Sequence, residues 1–158
     1  MTVSQKCQYA VRALLELAKR SGQTPVRSGE IAARQAIPPR FLENILNELK
    51  NAGLVEAHSG SRGGFVLACK PEQLTVGRVI RLVDGPLDPV RCTKDTTGTS
   101  DSKGAAQRDC PLKDRCSLIG LWQEAKTAVE AVYDRTTFAE LSKRENELDR
   151  NPVAEYCI

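Results

Sequence analysis

Two groups of residues in this chain have the types and spacing to do chemistry. The first is the cysteines, six in all at 7, 69, 92, 110, 116 and 157. That is many for a chain whose start, Met1 to Lys6, lacks the basic-then-apolar layout of a secretion signal. Disulfides rarely persist in the cytoplasm, the expected location, so metal, cluster or redox chemistry gains weight. Cys92, Cys110 and Cys116 fall in or beside a stretch, 85–115, rich in Pro, Gly, Asp, Ser and Thr. A polar loop is a poor place to keep thiols for packing. Thiolates ligate zinc and iron-sulfur clusters alike, and unliganded thiols are the third reading. Cys69, at a strand end, and Cys157, near the C-terminus, are expected to have no such role.

The second group is Arg40, Glu43, Asn44 and Asn47, whose spacing of three and four places them on one side of a helix. Arginine and asparagine can pair with guanine and adenine edges, and glutamate can accept from the amino group of cytosine. Arg62 sits in Ser59–Gly64, where three of six residues are glycine, and is suited to a phosphate or minor-groove contact. His58, the only histidine, reads as a surface or DNA-facing residue rather than a ligand. There is no nucleophile paired with a base and no phosphate-cradling glycine motif, so an enzyme is not expected.

The elements that must position these groups follow from periodicity. Ala10, Val11, Leu14, Leu15, Leu17 and Ala18 recur at helical spacing between Ser4 and Arg20. Ser28 is placed to cap a short helix over 29–36, and Ile37-Pro38-Pro39 forces a turn before a third helix. In that helix Phe41, Leu42, Ile45, Leu46 and Leu49 form the expected apolar stripe, and Gly53 ends it. Leu54 to His58 and Phe65 to Cys69 are strand-like runs flanking the glycine-rich tip. Thr75 caps a helix through Val83, broken by Asp84-Gly85-Pro86. A long amphipathic helix is expected from Ser117 to about Tyr133, with Leu118, Leu121, Trp122, Ala125, Val129 and Val132 on one side, and Thr137 to Glu140 has the spacing of a capping box for a last helix.

Three short helices followed by a two-stranded wing make a winged helix-turn-helix, in which the helix after the turn enters the major groove. The expected fold is mainly α with a small β-wing, plus a long dimerisation helix. Residues 1–84 form the DNA-binding part, 85–116 a cysteine-bearing loop, and 117–158 the dimerisation helix and C-terminal helix. Charge agrees: residues 1–70 carry ten Lys/Arg against five Glu, whereas the remainder carries thirteen against fifteen acidic residues. The attraction for a polyanion therefore lies in the first half. With 41% apolar and 27% charged residues the composition is that of an ordinary globular chain rather than a disordered one. No apolar run is long enough to span a bilayer, so no membrane partner is expected.

The sequence resembles the Rrf-two family of bacterial winged-helix transcription regulators, of the IscR, NsrR, RirA and CymR kind. The resemblance rests on Lys6 to Val11, Phe41 to Leu46, Ala52 to Val55, Arg62 to Phe65 and Thr75 to Ile80, with looser matches at Trp122 and Thr137 to Leu141. It implies a homodimer on a palindromic operator, acting as a repressor, with Tyr9 added to the DNA-contacting residues. It also implies a 2Fe-2S or 4Fe-4S cluster held by Cys92, Cys110, Cys116 and a fourth ligand, and a response to iron-sulfur status, redox state or nitric oxide. Two departures stand out. Seventeen residues separate Cys92 from Cys110, more than is usual in the family, while Cys110 and Cys116 keep the familiar five. Where some members offer a histidine this chain has Ile119, and where others offer a carboxylate it has Gln8. Cys7, presented by the partner subunit, is then the candidate fourth ligand. The alternative is a cluster-free regulator controlled by a partner protein or by a zinc or thiol switch.

Overall fold

The computed structural model describes residues 2–22, 24–90, 93, 112 and 115–150. Helix α1 spans Gln5–Lys19, and the Ser4 hydroxyl accepts the Cys7 amide at 3.1 Å to cap its start. Helix α2, Ser28–Gln35, begins one residue earlier than expected: Arg27 occupies the cap position without a side-chain bond, and Ser28 is already helical. It stops at Ala36, whose backbone is left-handed (φ 47°), while the Ile37 amide reaches back to the Ala32 carbonyl at 3.0 Å. Pro39 then starts α3, Pro39–Asn51, at a position where its missing N–H costs nothing. Gly53 (φ 69°) closes α3 by turning the chain so that the Leu54 amide meets the Leu49 carbonyl at 2.9 Å.

Strands β1, Val55–His58, and β2, Gly64–Leu67, pair antiparallel with Val55 opposite Leu67 and His58 opposite Gly64. Val26 adds a further rung, exchanging two backbone bonds with Phe65 at 3.0 and 2.8 Å. A 3-10 turn at Pro71–Gln73 leads to α4, Val76–Val83, capped by the Thr75 hydroxyl as its sequence predicts. Helix α5 is Ile119–Arg135 and α6 is Phe138–Arg150. The fold is a winged helix-turn-helix with a long helix appended.

One core joins α1 to α3, the wing strands, α4 and α6. Leu14, Leu17, Ile31, Leu42, Leu46, Leu49, Leu54 and Leu74 are each no more than 2% exposed. Phe138, at the start of α6, is completely buried in the same core. Its amide donates to the Leu74 carbonyl at 3.0 Å, and Lys19 of α1 pairs with Glu145 of α6 at 3.4 Å. The last helix thus folds back on the first.

Phe41 corrects the expected stripe. Leu42, Ile45, Leu46 and Leu49 are buried, but Phe41 is 60% exposed. It lies one residue, about 100°, around the helix from Leu42, beyond the edge of the core-facing arc.

Candidate nucleic-acid interface

Helix α3 is fixed from below by its buried leucines, which leaves Arg40, Glu43, Asn44 and Asn47 exposed on the outer surface. None of the four makes a side-chain hydrogen bond or ion pair among the described residues. They are free to meet a ligand without first breaking an internal contact. The helix is braced laterally by Lys6 of α1, 2.7 Å from Glu48. Tyr9 is half-buried against the core, and its hydroxyl accepts from Gln5 Nε2 at 2.8 Å.

The angle between α1 and α2 is set by a buried carboxylate that sequence reasoning did not single out. Glu16 is 2% exposed and receives Gln35 Nε2 at 3.1 Å and Arg34 Nη1 at 3.3 Å, with Arg20 Nε at 3.6 Å. Arg12 donates to the Gln35 carbonyl. A buried charge with this many partners holds the helix before the turn in place.

The wing has its own brace. Arg27 Nη2 donates to the Ser61 carbonyl at 2.7 Å, tying the tip to the cap residue of α2. The glycines of the tip serve close packing within the chain: a side chain at Gly63 would strike the His58 carbonyl, and one at Gly64 would come within 2.6 Å of the Val26 carbonyl. Arg62, just before them, is exposed, and His58 is exposed near Glu56, at 3.9 Å. Nothing in local spacing links residue 27 to residue 61, so the Arg27 brace had no sequence signal.

The thiols occupy different surroundings. Cys92 and Cys110 lie outside the described residues, as does Cys157. Cys116 is half-buried ahead of α5, and Cys69 is half-buried beyond the end of β2. Cys7 is completely buried in a second apolar cluster with Ile80 and Leu87. Burial, then the negative charge of Asp84 and a hydrogen bond to it, pushes its thiol up to about 12. A metal ligand must be the thiolate, so this side chain is poorly suited to the task as it stands. Gln8 spends its amide on the Val3 carbonyl at 3.1 Å. Among the described residues no three His, Cys, Asp or Glu side chains are grouped to hold a metal ion.

Charged side chains connect this region to α5. Lys126 Nζ is 2.9 Å from Asp88 Oδ1 and donates to the Thr93 carbonyl at 3.2 Å. Arg81 of α4 grips Asp134 of α5 through two bonds of 2.6 and 2.7 Å, with Glu130 at 3.6 Å. The pairing holds the Asp134 carboxyl below its ordinary range and raises the Arg81 guanidinium above its own. No helix among the described residues is long and apolar enough to cross a membrane.

A free polar face on the helix after the turn, a braced wing and a positive first half define a winged-helix DNA-binding regulator. The Rrf2 family, described as iron-dependent transcriptional regulators, matches residues 3–144, and the chain belongs to it. The chain is 32% identical to the HTH-type transcriptional regulator CymR of Bacillus subtilis over 142 residues, 90% of each protein. It is 33% identical over 149 residues to the HTH-type regulator IscR of Sodalis glossinidius, covering 94% of this chain and 83% of that one. The solved structure of CymR, described as the global cysteine regulator of B. subtilis, superposes with a TM-score of 0.69 at 30% identity, over 91% of this chain and 98% of that one. The protein is accordingly a helix-turn-helix transcription regulator of the CymR and IscR branch, not an enzyme.

Proposed function

We propose that the chain is a homodimeric, sequence-specific repressor of the bacterial cytoplasm that binds a palindromic operator and is controlled through its thiols, a zinc ion or a partner protein rather than a resident iron-sulfur cluster. The observation that carries the DNA-binding reading is the outer face of α3, where Arg40, Glu43, Asn44 and Asn47 stand over a rigid leucine base, unpaired among the described residues. Arg62 on the wing and Tyr9 on α1 flank it as backbone contacts. Residues 1–84 carry the reader, 85–116 the responsive segment, and 117–158 the pairing helix with α6 returned to α1. Leu118, at the cap of α5, and Leu121 and Val132 on it are 51, 54 and 45% exposed, an apolar flank that a second copy would cover.

Two points favour control without a cluster. Cys7 is protonated and enclosed, and neither Gln8 nor Ile119 is an iron ligand. The likeness to a protein described as a global cysteine regulator extends over nearly the whole of that protein.

Operator binding followed by fluorescence anisotropy tests the first part. The dimer is expected to bind one palindromic duplex, and Arg62→Ala to weaken all duplexes and flatten the log-log salt dependence by about 0.9. Glu43→Ala or Asn44→Ala should shift base preference instead. Unchanged operator binding in all three would remove α3 and the wing as the reader. Anaerobically purified protein tests the second part by iron, sulfide and zinc analysis. Stoichiometric iron and sulfide with a visible absorption band, lost in Cys92→Ala, would establish the cluster reading in place of this one.

A further inference from the structure

We propose that Phe41 is a specificity-determining residue that recognises a thymine in each half-site by covering its 5-methyl group. The inference rests on the DNA-binding reading of α3 given above. Phe41 stands in the first turn of α3, beside Arg40 and one turn before Asn44, and is 60% exposed. Among the described residues it is the only aromatic of the large apolar side chains left in water. Leu42, at 0% exposure, already fills the adjacent core position, so the phenyl ring contributes little to folding where it stands.

The N-terminal residues of a recognition helix are the ones brought to the base edges. In the major groove the four base pairs differ in their donors and acceptors, and thymine alone adds a methyl group. A phenyl ring has no hydrogen bond to give or accept, which leaves that methyl as the feature it can distinguish. Its polar neighbours supply the hydrogen-bonded part of the readout, and Phe41 the apolar part. Insertion as a wedge between base pairs is a minor-groove device and does not suit a residue on this helix.

The test uses the full-length dimer and a duplex selected by it from random sequence. Each thymine is replaced in turn by deoxyuridine, which removes only the methyl group. At one position per half-site the replacement should weaken wild-type binding by roughly 4-fold, the effect of burying one methyl-sized group. Phe41→Ala should bind the parent duplex more weakly and be indifferent to the replacement there, while Phe41→Leu retains part of the sensitivity. Replacing that thymine by 5-methylcytosine should be tolerated better than cytosine by wild type and equally by Phe41→Ala. Binding that is selective but insensitive to every methyl, or equally sensitive in both proteins, overturns the assignment and leaves α3 as the reader. A Phe41→Ala dimer that dissociates more readily places the ring in a subunit contact and also overturns it. A wild-type dimer that selects no sequence at all overturns the underlying function instead.

Discussion

The reader end of the molecule, α1 to α3 with the wing, is joined by apolar burial, whereas the junction of α4 and α5 is joined largely by charged side chains. Beneath α3 the contacts are Leu42, Leu46 and Leu49 against Leu14, Leu17 and Ile31, all essentially without solvent access. Across the junction they are Arg81 with Asp134 and Lys126 with Asp88, together with a small cluster around Cys7. Close-packed interiors resist small displacements, while a partly exposed ion pair such as Arg81–Asp134 can be exchanged for water at modest cost. One end is built to keep its shape. The other can change partners at Arg81, and the segment that carries Cys92, Cys110 and Cys116 separates its two helices in the sequence.

The largest expected effect tests the rigid end. Leu46→Ala removes a fully buried side chain beneath the reader face and should cost about 2–5 kcal/mol, lowering Tm on the order of 10 °C. Thermal unfolding checks it. A change within about 0.5 kcal/mol would mean that the helix is not held by its leucines.

Lys126→Ala probes the other end. Asp88 has a side chain only 4% exposed, and removing the ammonium group takes away the ion-pair partner that its carboxylate has among the described residues. The expected cost is about 3 kcal/mol. Hydrogen exchange should show the loss in α5 while α1 to α3 keep their protection. Uniform loss across both ends would break the distinction between them.

Much of this division was legible in the chain, and the parts that were not share a cause. Helices α1, α3 and α4 follow from apolar spacing with Ser4, Pro39 and Thr75 at their starts, because periodicity and caps are local properties. The exposed polar side of α3 is the complement of its leucines, so Arg40, Glu43, Asn44 and Asn47 could be placed on it in advance. Phe41 was misassigned because residue type decides burial only where the helix turns the position inward. Ser28 was displaced by one residue, within the usual blur of helix ends. Glu16 under Arg20, Arg34 and Gln35, the Arg27 brace on Ser61, and the return of Phe138 to the core join residues distant in sequence. No single-chain pattern encodes such pairings.

Cys7 gives a smaller effect that separates sensing thiols from structural ones. An unfolded thiol ionises near 9.0, and the folded one only near 12, so the folded state holds its proton longer. Below pH 9 this makes no difference to stability. Between pH 9 and 12 the unfolded state loses the proton first, and stability should fall by at most about 1.4 kcal/mol per pH unit. Denaturant unfolding at pH 8 and 10, compared with Cys7→Ala, isolates the contribution as a change in their difference. At pH 8 an alkylating reagent should modify Cys116 in the native protein and spare Cys7. Rapid labelling of Cys7 would show that the junction opens far more readily than its packing implies.

The smallest expected change in stability comes from Gly77→Ala, and it is informative because two effects oppose each other. A methyl group at residue 77 of α4 would collide with the Asp134 carboxylate, displacing it from Arg81. The ion pair is partly exposed, at 37 and 46% for its two side chains, so its loss should cost roughly 0.2–1 kcal/mol. Alanine in place of glycine within a helix returns about 1 kcal/mol. The single variant should therefore fall between wild-type stability and a gain of about 0.8 kcal/mol, whereas Gly77→Ala made in an Asp134→Ala background should stabilise by the full helical gain. That non-additivity is the signature of a polar joint between α4 and α5. Equal effects in both backgrounds would mean that Arg81 and Asp134 do not couple the two helices, and the contrast between the ends would then rest on Lys126 alone.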